Sequence, residues 1–293
     1  RYTPDDGNVR GIVQIVHGMA EYVERYENLA EFLTKRGILV TGEDHLGHGK
    51  SVSEGGSFGY FCEQDPATVV VRDVHRLKKI TEEQYPQVPY IILGHSMGSF
   101  IARNYLCRYG SGIDGAVIVG TGMQPAGLIF ASKAMAGIQK LFCGSKHVSH
   151  FIDKAAFGGY NKRIDSPRTS SDWLSRNTEN VDRYIEDELC GFTFTVNGFQ
   201  TLFELIRRLQ KQENLEKVPQ NLPILMVSGA EDPVGDYGKG VHKACDSLKR
   251  AGVKNITVKL YENDRHELLN EDDAETAMED IWQWICKEVP GIA

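Results

Sequence analysis

Ser96 stands in Gly94-His95-Ser96-Met97-Gly98, with the apolar run Tyr90-Ile91-Ile92-Leu93 before it and a helical pattern, Ser99 to Leu106, after it. A serine between two glycines at a strand-to-helix turn is the arrangement that exposes one hydroxyl for nucleophilic attack. A serine hydroxyl is a poor nucleophile at neutral pH and has to be presented within reach of a base. Glycines at 94 and 98 remove the side chains that would collide where strand and helix close on each other. The start of the helix aims free amides, that of Met97 among them, at a reacting carbonyl. Five residues with two open positions recur by chance, so the pattern needs a base, an acid and an oxyanion site elsewhere in the chain.

Such partners belong just past the carboxyl ends of other strands. Asp232 follows the apolar run Ile224 to Gly229, and His266 follows the run Ile256 to Tyr261. The order Ser96, Asp232, His266 is the serine–acid–histidine order of one class of catalytic triads. Glu231, Asp236 and Asp264 are rival carboxylates, and Asp232 beside Pro233 could serve only as a turn former. Three suitable residues in order, each beyond a separate strand, favour the triad. The second oxyanion donor should come from His17-Gly18-Met19-Ala20-Glu21, after the first strand, with the Met19 amide as the choice. His17, at the mouth of that strand, is expected to shape this loop rather than act as a base. Gly18, His95, Leu128 and Ile129 are expected to line the substrate site.

Asp44, His45 and His48 have a short, glycine-rich spacing that could be mistaken for a metal cluster. A turn at a strand end accounts for it, and no metal site is expected. No phosphate-cradling glycine loop is present, which argues against a nucleotide cofactor.

The elements that must position these residues alternate. Strands are expected at Val9 to Val16, Ile38 to Val40, Tyr90 to Leu93, Gly115 to Val119, Ile224 to Val227 and Ile256 to Tyr261, with helices between them. Unbroken apolar strands separated by amphipathic helices are the signature of an α/β protein with a mostly parallel central sheet covered on both faces. The alternation lapses between Thr121 and about Pro223. Residues 122–195 read as an inserted α-helical cap, and residues 1–121 and 196–293 as the core domain. The 293 residues, 41% hydrophobic and 25% charged, suffice for one large domain. A net charge of −7 without a basic block excludes nucleic acid as a main partner. The six cysteines, Cys62, Cys107, Cys143, Cys190, Cys245 and Cys286, form no close pair, which favours reduced thiols and a cytoplasmic setting. No apolar run approaches the roughly 20 residues of a membrane span.

The segments His17-Gly18-Met19-Ala20-Glu21 with Arg25-Tyr26, Asp44 to Ser51, Gly94 to Gly98, Gly229 to Val234 and His266-Glu267 together resemble the α/β-hydrolase superfamily. Within it the chain resembles the monoacylglycerol lipase/lysophospholipase-like serine hydrolases. The resemblance implies the α/β-hydrolase fold and ester chemistry on acyl glycerols or similar lipid esters, without metal or organic cofactor. It carries Ser96, Asp232 and His266 over as the triad, and Met19 and Met97 as oxyanion amides. Short or aryl esters, and amides or peptides, are the alternative substrates; a non-catalytic binding protein would need a broken triad. The chain departs from the group at Met19, where relatives often carry a small residue, and at Tyr22, where they carry histidine. The leading antiparallel strands of the group are mostly missing before Val9. Leu128, Ile129, Phe130, Met135, Ile138, Leu141 and Phe142 of the cap could line an acyl tunnel, touch a lipid surface or simply pack the cap onto the core.

Overall fold

The computed structural model describes residues 1–5 and 7–292. Six strands, β1 (Gly11–Val16), β2 (Ile38–Gly42), β3 (Tyr90–His95), β4 (Gly115–Val119), β5 (Ile224–Gly229) and β6 (Ile256–Tyr261), form one sheet in the order β2-β1-β3-β4-β5-β6. Every pairing between them is parallel. All residues of β1, β3, β4 and β5 are buried, as their continuous apolar runs require when both faces are covered. β6 lies at the edge, and its exposed Thr257 and Lys259 alternate with half-buried apolar residues. Ahead of β1, the described residues contribute one antiparallel bridge, Tyr2 with Val40.

The helices are α1 (Glu27–Thr34), α2 (Pro66–Gln84), α3 (Met97–Tyr109), α4 (Ala126–Cys143), α5 (His150–Phe157), α6 (Thr178–Glu186), α7 (Val196–Leu209), α8 (Gln212–Leu215), α9 (Lys239–Arg250) and α10 (Ala274–Glu288). Alternate residues of each strand feed opposite layers. Ile91 and Leu93 of β3 pack with Leu29 and Leu33 of α1 and Ile281 and Ile285 of α10. Ile92 packs on the other side with Val70 and Val74 of α2, Ile101 and Tyr105 of α3, and Leu205 of α7. Each such buried aliphatic side chain contributes about 1.5–3 kcal/mol by leaving water.

The chain runs from β1 to β2 on one side and then returns to place β3 on the other side of β1. The loops leaving β1 and β3 therefore part toward opposite faces, and a crevice opens between them at the carboxyl edge. All of α4 to α8 lie between β4 and β5. α7 packs on both α3 and α4, so it joins the insertion to the core. Capping oxygens mark its short helices: Ser149 accepts from the Ile152 amide, Asn177 from Asn180 and Thr195 from Gly198. α5 and α6 are short, of eight and nine residues, and fall inside the stretch expected only in general terms as a helical cap.

Candidate active site

Ser96 sits between β3 and α3 at φ 54° and ψ −122°, a backbone conformation that a side-chain-bearing residue adopts only under strain. The turn is held from several sides. The Ser96 amide donates to the Val119 carbonyl at 3.0 Å, and its carbonyl accepts from the Ser99 amide at 2.9 Å and the Ser99 hydroxyl at 2.6 Å. A β-carbon on Gly98 would run into the Val16 carbonyl, so glycine is what lets α3 start directly against β1. Met97 is the first residue of α3, and its amide has no partner within the helix.

Asp232 and His266 come together across the ends of β5 and β6. His266 Nδ1 donates to Asp232 Oδ2 at 3.0 Å, with both side chains buried. The carboxylate is fixed in turn: its Oδ1 accepts from the Val234 amide at 2.8 Å and its Oδ2 from the Ser228 hydroxyl at 3.1 Å. With Nδ1 so engaged, Nε2 carries the free lone pair, and among the described residues it has no hydrogen-bond partner. Gly120, at φ 58°, lets the end of β4 lie against the imidazole; a β-carbon there would meet Cε1 at 3.1 Å. Trp173 covers another side of the ring at a 5.1 Å centroid separation. The rival acids lie elsewhere. Asp264 is bound to Arg176, and its pKa rises to about 6 through burial and then the neighbouring Asp273 and Glu271, opposed by Arg176. Glu231 lines a separate hollow with Arg163 and Arg265, and Asp236 lies on the wall of the apolar cavity described below.

A buried charge cluster stands behind these loops. Arg25 bonds Glu21 at 2.9 Å and both oxygens of Glu267 at 2.7 and 2.8 Å. Glu21 also accepts from the Gly18 amide at 2.5 Å and the Tyr26 hydroxyl at 2.8 Å. Asn180 of α6 donates to Glu267 at 2.7 Å. The cluster thus ties the Met19 loop, the His266 loop and the helical insertion together. Burial alone would raise the Glu21 and Glu267 pKa values; hydrogen bonds and opposite charges outweigh it and hold both below the usual carboxylate range. The sequence contains these residues within the segments that carry the resemblance, but spacing did not reveal that they share one salt-bridge network.

Two cavities meet at Ser96. One, of about 320 Å³, has a mixed lining, with Asp153, Ser170, Ser171 and His266 beside Phe157, Trp173 and Phe192. The other, of about 620 Å³, is lined mainly by apolar residues, among them Phe100, Leu128, Ile129, Met135, Leu202 and Phe203. Met19, Ser96, Phe157 and Trp173 belong to both walls. Buried Ile129 and half-buried Met135 turn inward; Leu128 stands on the same wall but is 55% exposed, and Phe130, Ile138, Leu141 and Phe142 of the same helix are exposed outside it. His95 lines the smaller cavity but is buried and bonded on both ring nitrogens; Gly18 lines neither cavity and its amide is spent on Glu21.

His17 shapes its loop. Its Nε2 accepts from the His45 amide at 3.0 Å, and its Nδ1 donates to the Gly18 carbonyl at 2.9 Å. Its ring packs against that of His45 at 4.0 Å, tilted by 30°, and lies 5.2 Å from that of His48. Among the described residues no group of three or more histidines, cysteines and acids is placed to hold a metal ion.

Residues 7–273 match the model of a family described as serine aminopeptidase, S33. The chain belongs to this family. It is similar to rat monoglyceride lipase, 27% identical over 99% of this chain and 86% of the relative, and to the monoacylglycerol lipase of Mycolicibacterium smegmatis, 28% identical over 97% and 90%. Among solved structures it is similar to a thermostable carboxyl esterase from Bacillus coagulans, crystallised with glycerol, at a TM-score of 0.92 and 31% identity over 100% of this chain and 93% of that one. The fold is that of the α/β-hydrolases. No helix among the described residues is long and apolar enough to cross a membrane.

Proposed function

We propose that this protein is a serine esterase that cleaves monoacylglycerols or lipid esters of similar shape. The observation that carries the reading is the position of Ser96 at the meeting of a large apolar cavity and a smaller one of mixed lining. An ester bound there places its acyl chain in the first and its alcohol in the second. His266 Nε2 takes the Ser96 proton as the hydroxyl oxygen attacks the acyl carbonyl, and Asp232 holds the tautomer that leaves Nε2 free. The Met19 and Met97 amides stabilise the oxyanion. The imidazolium returns its proton to the leaving alcohol, and water then releases the acid from the acyl-enzyme by the same steps in reverse.

Residues 122–195 act on this reading as a cap that supplies most of the acyl wall. The outward Phe130, Leu141 and Phe142, at 78, 84 and 85% exposure, with Phe151 of α5, support a transient contact with a lipid surface. The six free cysteines agree with a reducing compartment such as the cytoplasm. The family's description names peptide chemistry, and the same residues would attack an amide, so the leaving group has to be measured. A panel of monoacylglycerols, lysophospholipids, short aryl esters and aminoacyl amides, with Ser96→Ala as control, does so. Monoacylglycerols should turn over best, and the control should lose three or more decades. Preference for aryl esters or amides would overturn the lipid reading, and activity retained by the control would overturn the role of Ser96.

A further inference from the structure

His95 precedes the nucleophile and points behind it, into the buried charge cluster. Its two nitrogens have short contacts whose partners restrict where protons can be. Nε2 lies 3.1 Å from the carbonyl oxygen of His266, which can only accept, so Nε2 carries hydrogen. Nδ1 lies 2.7 Å from the Tyr26 hydroxyl and 3.3 Å from Glu21 Oε1. Tyr26 has one proton and two close neighbours, Nδ1 and, at 2.8 Å, Glu21 Oε1. Glu21 is ionised and brings no proton of its own. Both short contacts of Tyr26 are satisfied together only if the tyrosine donates to the carboxylate and accepts from Nδ1.

Charge leads to the same place. The groups facing His95 are Glu21, Arg25 and Tyr26 after β1, His17 at the end of β1, and His266 and Glu267 from the loop after β6. His17 accepts a backbone proton and is neutral, and burial with the Glu21 charge keeps Tyr26 protonated. Two carboxylates against one guanidinium leave the buried cluster one negative charge in excess. Buried charges are costly unless balanced. We infer that His95 is a doubly protonated positioning residue, an imidazolium that completes the charge of the Glu21–Arg25–Glu267 cluster while its Nε2 proton holds the backbone carbonyl of His266. Burial opposes this charge, and the Glu21 hydrogen bond and charge outweigh it.

The consequence concerns the base. The His95 and His266 rings are 4.8 Å apart, so a fixed cation sits beside the imidazole that must be neutral to take the Ser96 proton. The Nε2 proton of His95 anchors the backbone of the residue that carries this imidazole, so its loss should slow turnover. That effect on turnover rests on the esterase reading above; the protonation of His95 does not.

Two measurements test the inference. In the unmodified protein, imidazole nitrogen NMR, with His95 assigned against His95→Gln, should show both His95 nitrogens protonated from pH 6 to 8, while His17 shows one. A single protonated nitrogen on His95 over that range would overturn the inference, whatever the substrate proves to be. The second is the kinetics of ester hydrolysis by His95→Gln. Glutamine can keep a donor for the His266 carbonyl, but it removes the charge and offers Tyr26 a carbonyl oxygen where the Nδ1 proton stood. kcat should fall about tenfold with KM unchanged, because the loop that carries the base loses its anchor while the acyl wall does not. An unchanged kcat would overturn the positioning role.

Discussion

Two groups of buried histidines lie within a few ångströms of the same crevice, and they are built on opposite principles. His17, His45 and His48 pack ring against ring at tilted and edge-on angles, and their hydrogen bonds go to backbone: the His45 amide and the Gly18, His17 and Leu46 carbonyls. Burial holds all three neutral, taking His48 down to about 3. His95 and His266 are equally buried, but each has a carboxylate on one side, Glu21 and Asp232. A histidine shut away among backbone groups and rings becomes a polar spacer. Beside a carboxylate the same side chain has one nitrogen fixed and the other turned elsewhere, to the His266 carbonyl in His95 and to no protein group among the described residues in His266. The Asp44-His45-x-x-His48 spacing looks as chemical in sequence as His266-Glu267 does, yet the structure places Asp44 on the Val23 and Lys50 amides, away from both rings.

The contrast can be broken at its strongest point by Asp232→Asn, which keeps the shape but lets the wrong tautomer of His266 form. Turnover should fall by about four decades in a protein with an unchanged unfolding curve. A loss smaller than tenfold would make another group the orienting acid. Next comes Arg25→Met, which leaves Glu21 and Glu267 buried without their cation. Breaking such a pair should cost about 3–5 kcal/mol, read from denaturant midpoints, and a cost near zero would show the cluster to be solvated. The smallest effect sharpens the other side. His48 has an unfolded pKa near 6.5 and a folded one of about 3, so the folded state resists protonation. Its contribution to stability is complete above pH 6.5 and is lost as pH falls from there toward 3. His48→Gln should therefore remove about 2 kcal/mol of the stability that the unmodified protein loses between pH 7 and 4.5. Equal slopes in the two proteins would mean that His48 is not held neutral.

Much of this was legible in the sequence because burial on both faces of a parallel sheet writes itself as unbroken apolar runs. Each strand expected there is found, with ends moved by a residue or two; His266 beyond β6 bonds Asp232 beyond β5, and Ser96 beyond β3 lines the same cavity as His266. Other parts were not legible, for physical reasons. Trp173 reaches the His266 ring from a stretch of turns and single 3-10 turns that has no period to detect. The choice among Asp232, Glu231, Asp236 and Asp264 depends on loop geometry, since only the first reaches Nδ1. Cluster membership is likewise a matter of distance in space: Glu21 and Glu267 are joined through Arg25 although they lie at opposite ends of the chain. α4 carried an apolar pattern all round, and only the fold divides it into an inward and an outward set.

The separate walls around Ser96 also set an order of events. On the esterase reading, when an ester is cut at the junction the alcohol fragment leaves the smaller chamber, which the acyl chain, bonded to Ser96 and held in the apolar one, does not occupy. The vacated chamber, with Asp153, Ser170 and Ser171 on its wall, is then the approach for whatever attacks next. Water and small alcohols would compete there for the same acyl group, so on this reading hydrolysis in dilute solution gives way to acyl transfer when alcohol is abundant.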